Sequence, residues 1–398
     1  MLDAADYHRR KPELAPVVAA HLADLRRRFD VVICEGAGSP AEINLLDHDL
    51  VNLGLAARAG MAAIVVGDIE RGGVFAALYG TVALLPDPLR ACVGGFVINR
   101  FRGDPDLLGD GPADLARRCG IPTLGVLPWS PVPLLDAEDS LDLGGVGSAA
   151  GPDALDVALV RLPRISNFTD LEPLALEPGV SVRLVRRPHE LGRPDLVVLP
   201  GTKATLADLE WLRATGLADA IAGLPSTTTV VGICGGHQML GTVIVDPVEA
   251  GRSEPVAGLG LLDTGTRFAA EKVTRTRRGS GLGHAVHGYQ IHHGRTEARR
   301  PWLRLDGDEA EGNRSPDGRI LGTGLHGLWE SDGFRGAFLA EVAGRAGRPF
   351  TPGTVRMAAT RLARFDQLAD LIETHLDTAA IDDLIARAER PSDPPEHP

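Results

Sequence analysis

Apolar runs of strand length alternate with helix-length stretches along most of this chain, and that alternation constrains its fold more than any single motif. In the first third the runs are FDVVICEG (29–36), AAIVVGDI (62–69) and CVGGFVINRF (92–101), with TLGVLP (123–128) as a further strand. Each is nearly continuous in hydrophobicity, as strands buried on both faces of a parallel sheet are. Helical patterns lie at 13–29, around 50–60, at 73–85 and at 111–118. Strand and helix in this rhythm predict a doubly wound parallel sheet. A second alternation runs through DVALVRLP, SVRLVRR, DLVVLPG and TTVVGICGG, between residues 156 and 236. A Gly-, Ala- and Ser-rich stretch, LGGVGSAAGPD at 143–153, separates the two series and reads as a linker. The expectation is an α/β chain with one domain over 1–145, a linker at 146–154, a second domain over 155–352 and a helical tail over 353–398. A length of 398 residues is ample for two cores.

The balance of charges narrows the partners. A net charge of −12 disfavours nonspecific nucleic-acid binding, which needs concentrated Lys and Arg. The basic clusters Arg26–Arg28 and Thr274–Arg278 are short and read as solvated faces. No apolar run reaches about 18 residues, so no membrane span is expected, and HRRKPE near the N-terminus is not a secretory core. Cys34, Cys92, Cys119 and Cys234 are scattered, unlike a disulfide framework or a paired zinc motif. The cytoplasm is the expected compartment.

The motif richest in chemistry is VVGICGGHQMLG at 230–241. A strand ending in Gly-Ile-Cys-Gly-Gly before a helix is the cysteine version of a nucleophile elbow. Glycines permit the sharp turn, leave the amides after Cys234 free to hold an oxyanion, and set the sulfur at a helix start that favours thiolate. Two other segments complete a set: Leu199-Pro200-Gly201-Thr202-Lys203, offering a second amide from Gly201, and Gly322-Thr323-Gly324-Leu325-His326-Gly327, offering a histidine about 90 residues after the cysteine. Nucleophile first and base later suits acyl transfer.

GICGGHQMLG, LPGTK and TGLHG resemble the class I glutamine amidotransferases. That resemblance implies Cys234 as nucleophile, His326 as its base, and Gly201 and Gly235 as oxyanion donors, with glutamine as the ammonia source. Many members of the class carry a glutamate two residues after the histidine. Here that position is Leu328, and Glu330 is nearby. The orienting group is left open, and a cysteine–histidine dyad is one outcome.

EGAGSPAEINLLDHDLVN, VGDIERGGVFAALYGT, INRFRGD, the acidic AEDS, RLPRISNFTDLEPL and HGYQIHHGRT resemble the cobyric acid synthase family. Membership implies a synthetase domain like the dethiobiotin-synthetase ATPases ahead of a flavodoxin-like amidotransferase domain. The implied reaction is ATP- and glutamine-dependent amidation of the b, d, e and g carboxylates of adenosylcobyrinic acid a,c-diamide. A carboxylate is a poor electrophile, so ATP converts it to an acyl phosphate that ammonia attacks, and Mg²⁺ is expected beside the phosphates. Glu35, at the C-terminal end of its expected strand, is a candidate Mg²⁺ ligand; bonding to the Gly36–Ser39 turn is the alternative. Asp47 and Asp49, with Asn44 and Asn52, are candidates for the corrinoid carboxylates or the metal, or else for capping a helix. Asp68 and Arg71 form a second strand-end turn, Arg71 being a partner for phosphate or carboxylate. Asn99 resembles the residue that contacts adenine in the related ATPases. Tyr289, His292, His293 and Arg295 form a polar cluster; neighbours on a strand point to opposite sides, which makes zinc between the two histidines improbable.

The opening MLDAADYHRRK contains no GxxxxGK[ST], whereas the family opens with a Gly-rich phosphate loop, roughly a hundred residues more. Three explanations stand: an internal start within a longer gene, which is preferred; a separate N-terminal chain that assembles with this one; or a remnant without synthetase activity. A homo-oligomer is also open. The alternative functions are amidation of another carboxylate, such as cobyrinic acid or a muropeptide, and a non-catalytic binding role.

Overall fold

A computed structural model describes residues 4–130 and 153–388. The chain divides into two compact units, residues 1–134 with 365–398, and residues 135–364. The expected helical segment 353–398 is therefore shared between them. Most of the expected linker, and the acidic AEDS, lie outside the described residues. No helix among the described residues is long and apolar enough to cross a membrane.

The first unit holds a parallel sheet of three strands in sequential order, β1 (Ala63–Asp68), β2 (Val93–Phe101) and β3 (Thr123–Pro128). Leu53, Val74, Leu78, Val82, Phe96, Ile98 and Leu115 form its core. The C-terminal helices close on the same sheet, where Gly125 bridges to Leu376 and a side chain at Gly94 would overlap Leu384. One expected strand is absent. Among the described residues no strand pairs with 31–37, and Val31 is 45% and Ile33 91% exposed. An apolar run is a condition for a buried strand but does not encode its neighbour, and within this unit the sheet ends at β1.

The second unit is built on a six-stranded sheet. Its early strands are β4 (Leu155–Val160), β5 (Ile165–Ser166), β6 (Val180–Val185), β7 (Leu196–Leu199), β8 (Gly201–Thr202) and β9 (Thr229–Ile233). Then follow β10 (Val243–Asp246), β11 (Arg252–Ala257), β12 (Gly265–Gly281), β13 (His284–Thr296), β14 (Leu303–Leu305), β15 (Glu309–Glu311), β16 (Asn313–Arg314) and β17 (Ile320–Thr323). The main sheet has the order β16-β17-β9-β7-β4-β6, all parallel except β16. Ignoring β16, this is the 2-1-3-4-5 order of flavodoxin-like folds. Successive residues of β4 enter opposite cores: Val157 and Leu159 join one, Ala158 and Val160 the other. That is why the run reads as continuously apolar, each such side chain contributing about 1.5–3 kcal/mol. A second sheet is dominated by the long antiparallel β12–β13 hairpin.

Candidate active site

Four of the parallel strands deliver a polar group from their C-terminal ends. The helix Gly235–Leu240 starts directly after β9, and Cys234 caps it at φ 50°, ψ −108°. Steric contacts explain the glycines around it. A Cβ on Gly232 would meet the Gly236 carbonyl carbon at 2.5 Å, and one on Gly236 would overlap the Leu199 carbonyl. The helix therefore rests on β7 backbone-to-backbone, which holds Cys234, 9% exposed, at the C-terminal end of the interior strand β9.

His326, 1% exposed, follows β17. It exchanges backbone hydrogen bonds with Tyr289 at 3.0 and 2.8 Å, and the two rings stack with centroids 5.3 Å apart. Tyr289 is fixed in turn by Asn167, whose side-chain amide donates to its hydroxyl at 2.7 Å. Cys234 stands beside the imidazole and favours its charged form. Its Nδ1 donates to Asp170 Oδ2 at 2.7 Å, leaving Nε2 as the nitrogen for the sulfur. Asp170 lies on the 3-10 turn Phe168–Leu171 beyond β4 and β5, and its Oδ1 accepts the Gly327 amide at 2.7 Å. Burial opposes a charged imidazole, but the Asp170 carboxylate and then Cys234 outweigh it and raise His326 to about 10.

Asp170 is the residue that sequence reasoning missed. Leu328 is buried in the core, and Glu330 pairs with Arg361 at 3.1 Å, so neither orients the histidine. The available signal was an acid in RISNFTD just past the first strand of the second series. Gly201, in β8 opposite Ser166, lies against His326: a Cβ there would stand 3.0 Å from its Cε1. Gly235 is the first residue of the elbow helix, packed on Thr202.

Cys234 lines a cavity of about 590 Å³ together with Gln238, Arg275, Arg277, Gln290, His292, Arg295, Glu311 and Gly324. Both signs of charge line it, as a zwitterionic amino acid requires. Arg277 Nη2 pairs with Glu309 Oε2 at 2.5 Å, and its Nη1 donates to Gln290 Oε1 at 3.3 Å. Of the polar cluster on β13, His292 lines the cavity while His293 Nδ1 sits 3.0 Å from the Ala269 carbonyl. His237, just after the elbow, is buried; burial first and His292 second lower it to about 3.

The first-unit candidates are placed differently. Glu35 is exposed on the unpaired 31–37 segment, whose following turn is tied down by Asn52 through both directions of hydrogen bonding with Ala37. Asp49 is buried and accepts the amides of Val51, Asn52 and Gly54 at 3.1, 2.9 and 2.8 Å, holding the start of the helix Leu53–Ala59. Asp47 is exposed. Asp68 and Asn99 are register neighbours at the ends of β1 and β2. Asp68 accepts the Glu70 amide at 2.9 Å and lies 3.9 Å from Arg71 and 3.6 Å from Arg100. Asn99 Oδ1 accepts the Arg100 amide at 2.8 Å. Arg71 is 88% exposed. Among the described residues no three His, Cys, Asp or Glu side chains converge as a metal site.

Residues 156–334 match the CobB/CobQ-like glutamine amidotransferase domain family. A cobyric acid synthase of Nocardia farcinica is 52% identical over 96% of this chain and 78% of its own length. One from Rhodococcus jostii is 53% identical over 96% of this chain and 76% of its own, and one from Saccharopolyspora erythraea is 52% identical with the same coverage. Identity at this level over nearly the whole chain settles the kinship: the chain belongs to the cobyric acid synthase family.

Proposed function

We propose that this chain is a glutamine-hydrolysing ligase that amidates the b, d, e and g carboxylates of adenosylcobyrinic acid a,c-diamide at the expense of ATP, with Cys234 and His326 generating the ammonia. One observation carries the glutaminase assignment: a cysteine on a strained elbow that lines a cavity, a histidine whose charged form that cysteine favours, and a buried carboxylate fixing that histidine.

The steps follow from the residues. The Cys234 thiolate attacks the side-chain carbonyl carbon of glutamine, and the amides of Gly201 and Gly235 receive the oxyanion. His326, held as imidazolium by Asp170, protonates the amide nitrogen; the C–N bond breaks and ammonia leaves a glutamyl thioester. Neutral His326 then takes a proton from water as it attacks the thioester, and the C–S bond breaks to give glutamate and the thiolate–imidazolium pair again. Asp170 touches no reacting atom; it is a positioning residue. At the synthetase site the corrinoid carboxylate is activated as an acyl phosphate and ammonia displaces phosphate. The resemblance makes Glu35, Asp47, Asp49, Asp68, Arg71 and Asn99 the candidates there. Mg²⁺ belongs to that chemistry, but Glu35 stands alone and exposed and no ligand set forms among the described residues, so no step is routed through the metal.

The test is glutamate release from glutamine by the purified chain and by Cys234→Ala and His326→Ala. Loss of turnover in both variants, with native circular dichroism, is expected. Undiminished glutamate release by Cys234→Ala would remove the assignment.

A further inference from the structure

Two residues before His326, a group of polar atoms borders one side of the cavity and nothing so far uses it. The position that a Cβ on Gly324 would occupy lies 3.3 Å from His292 Nε2, 3.4 Å from Glu311 Oε1 and 3.7 Å from Gln290 Nε2. All four residues line the cavity that Cys234 also lines. His292 Nε2 is buried and has no hydrogen-bond partner.

The hydrogen-bonding roles of these atoms are fixed by their other contacts. His292 Nδ1 lies 2.7 Å from the Gly294 carbonyl oxygen, which only accepts, so Nδ1 carries the hydrogen. Burial lowers the affinity of this ring for a second proton, and Nε2 therefore presents a lone pair. Glu311 Oε1 accepts the Gly324 amide at 2.7 Å and has a further lone pair to offer. Its partner oxygen accepts from Thr323 Oγ1 at 2.7 Å. The Gln290 oxygen is taken by Arg277, which turns its NH₂ towards the same space. Burial raises the Glu311 carboxyl to about 7, so above that pH the cluster offers two acceptors and one donor. A buried acceptor left empty costs about 1–3 kcal/mol, so such an arrangement is retained for a ligand.

We infer that His292, Glu311 and Gln290 form a transient binding site for neutral ammonia within the cavity that Cys234 also lines. Ammonia has three N–H groups for the two acceptors and one lone pair for the Gln290 NH₂. An ammonium ion, or the α-ammonium group of glutamine, has no lone pair and meets that NH₂ hydrogen to hydrogen. Glycine at 324 keeps the space open; its backbone does not need glycine, since its φ is not among the positive ones. This site rests on the glutaminase reading, yet its test needs no turnover.

The test is ¹⁵N NMR of histidine-labelled Cys234→Ala protein, with the His292 signals assigned by their loss in His292→Gln. Ammonium chloride should shift the unprotonated Nε2 resonance saturably and sodium chloride should not. At fixed total ammonium the occupancy should follow the free-base concentration as pH is raised. Gly324→Ala, whose methyl would press on His292 and Glu311, should weaken the ammonium midpoint at least tenfold while leaving the other histidine signals in place. A midpoint that follows total ammonium, or a His292 signal moved by glutamine but not by ammonium chloride, would overturn the assignment and give these atoms to the amino-acid substrate. Loss of glutaminase activity in Cys234→Ala, measured separately, reports on the hydrolysis mechanism alone.

Discussion

Replacing Asp170 by Asn keeps the shape of the side chain and removes its charge. The amide oxygen can still accept the Gly327 amide, which Asp170 Oδ1 holds at 2.7 Å. The other end then presents an NH₂ to His326 Nδ1, now 2.7 Å from a carboxylate oxygen. An NH₂ there selects the tautomer with hydrogen on Nε2, so the ring offers Cys234 a donor where an acceptor is needed. The imidazolium is lost as well. Raising a histidine from 6.5 to about 10 amounts, at about 1.4 kcal/mol per tenfold, to ~5 kcal/mol favouring the charged form. Asp170 comes before Cys234 among the causes of that rise; losing one charge-assisted hydrogen bond to the imidazolium costs about 3 kcal/mol, a fall in glutaminase kcat of roughly 10²-fold. KM should move little, because Asp170 does not line the cavity. A coupled assay for glutamate measures both constants. The pH dependence of stability supplies a second readout. His326 has its folded value raised, so its contribution is full below about 6.5, declines as pH rises and is gone above about 10. Asp170→Asn should flatten that decline in thermal melts between those limits. A variant with kcat within threefold of the parent would refute the orienting role, and would leave the dyad as the working unit.

Other substitutions test the surrounding architecture. Cys234 sits at φ 50°, ψ −108°, a backbone that costs a residue with a Cβ about 1–3 kcal/mol; Cys234→Gly should therefore melt higher than Cys234→Ala, by about 2–4 °C per kcal/mol, though both lack activity. Gly201→Ala places a methyl 3.0 Å from His326 Cε1 and 3.1 Å from the Ser166 carbonyl oxygen, and should lower kcat at least tenfold while glutamine still protects the fold in a thermal-shift assay. Arg335 is fully buried and bonds Glu177 at 2.7 Å, Asp332 at 3.0 Å and the Trp329 and Val355 carbonyls; Arg335→Leu strands a buried carboxylate and should cost ~3–5 kcal/mol in denaturant unfolding.

The second unit was the more legible half because its strands are buried on both sides. DVALV, SVRLV, DLVVL and TVVGI each fill two cores at once, and no other element of that length can do so. The elbow was legible because its glycines answer to steric contacts within a few residues and with β7. What could not be read depended on distant partners. FDVVICEG carries the pattern of a strand but no neighbour pairs with it among the described residues. Asp49 and Glu35 were equal candidates by residue type, yet one is enclosed by three amides and the other is exposed. The β12–β13 hairpin, whose residues are alternately exposed, gives too polar a pattern to announce a long strand pair.

Asp170 shows why a search confined to the neighbourhood of the histidine fails. It stands 156 residues before His326 in sequence, on a turn introduced by Asn167 at φ 53°, and no local rule links the two. What the chemistry requires is a carboxylate oxygen at Nδ1, whichever strand provides it. A carboxylate at position 328 would have to displace Leu328, which is 3% exposed within the cluster that includes Trp329 and Phe338. Supplied from beyond β4 instead, the acid binds the imidazole with one oxygen and the following backbone amide with the other. One side chain thereby fixes both the ring and the turn that carries it. A shift of Asp170 should consequently move Gly327 together with His326, so amide exchange at Gly327 in Asp170→Ala should rise in step with the loss of turnover. If activity fell while that amide stayed protected, the carboxylate would be acting through charge alone.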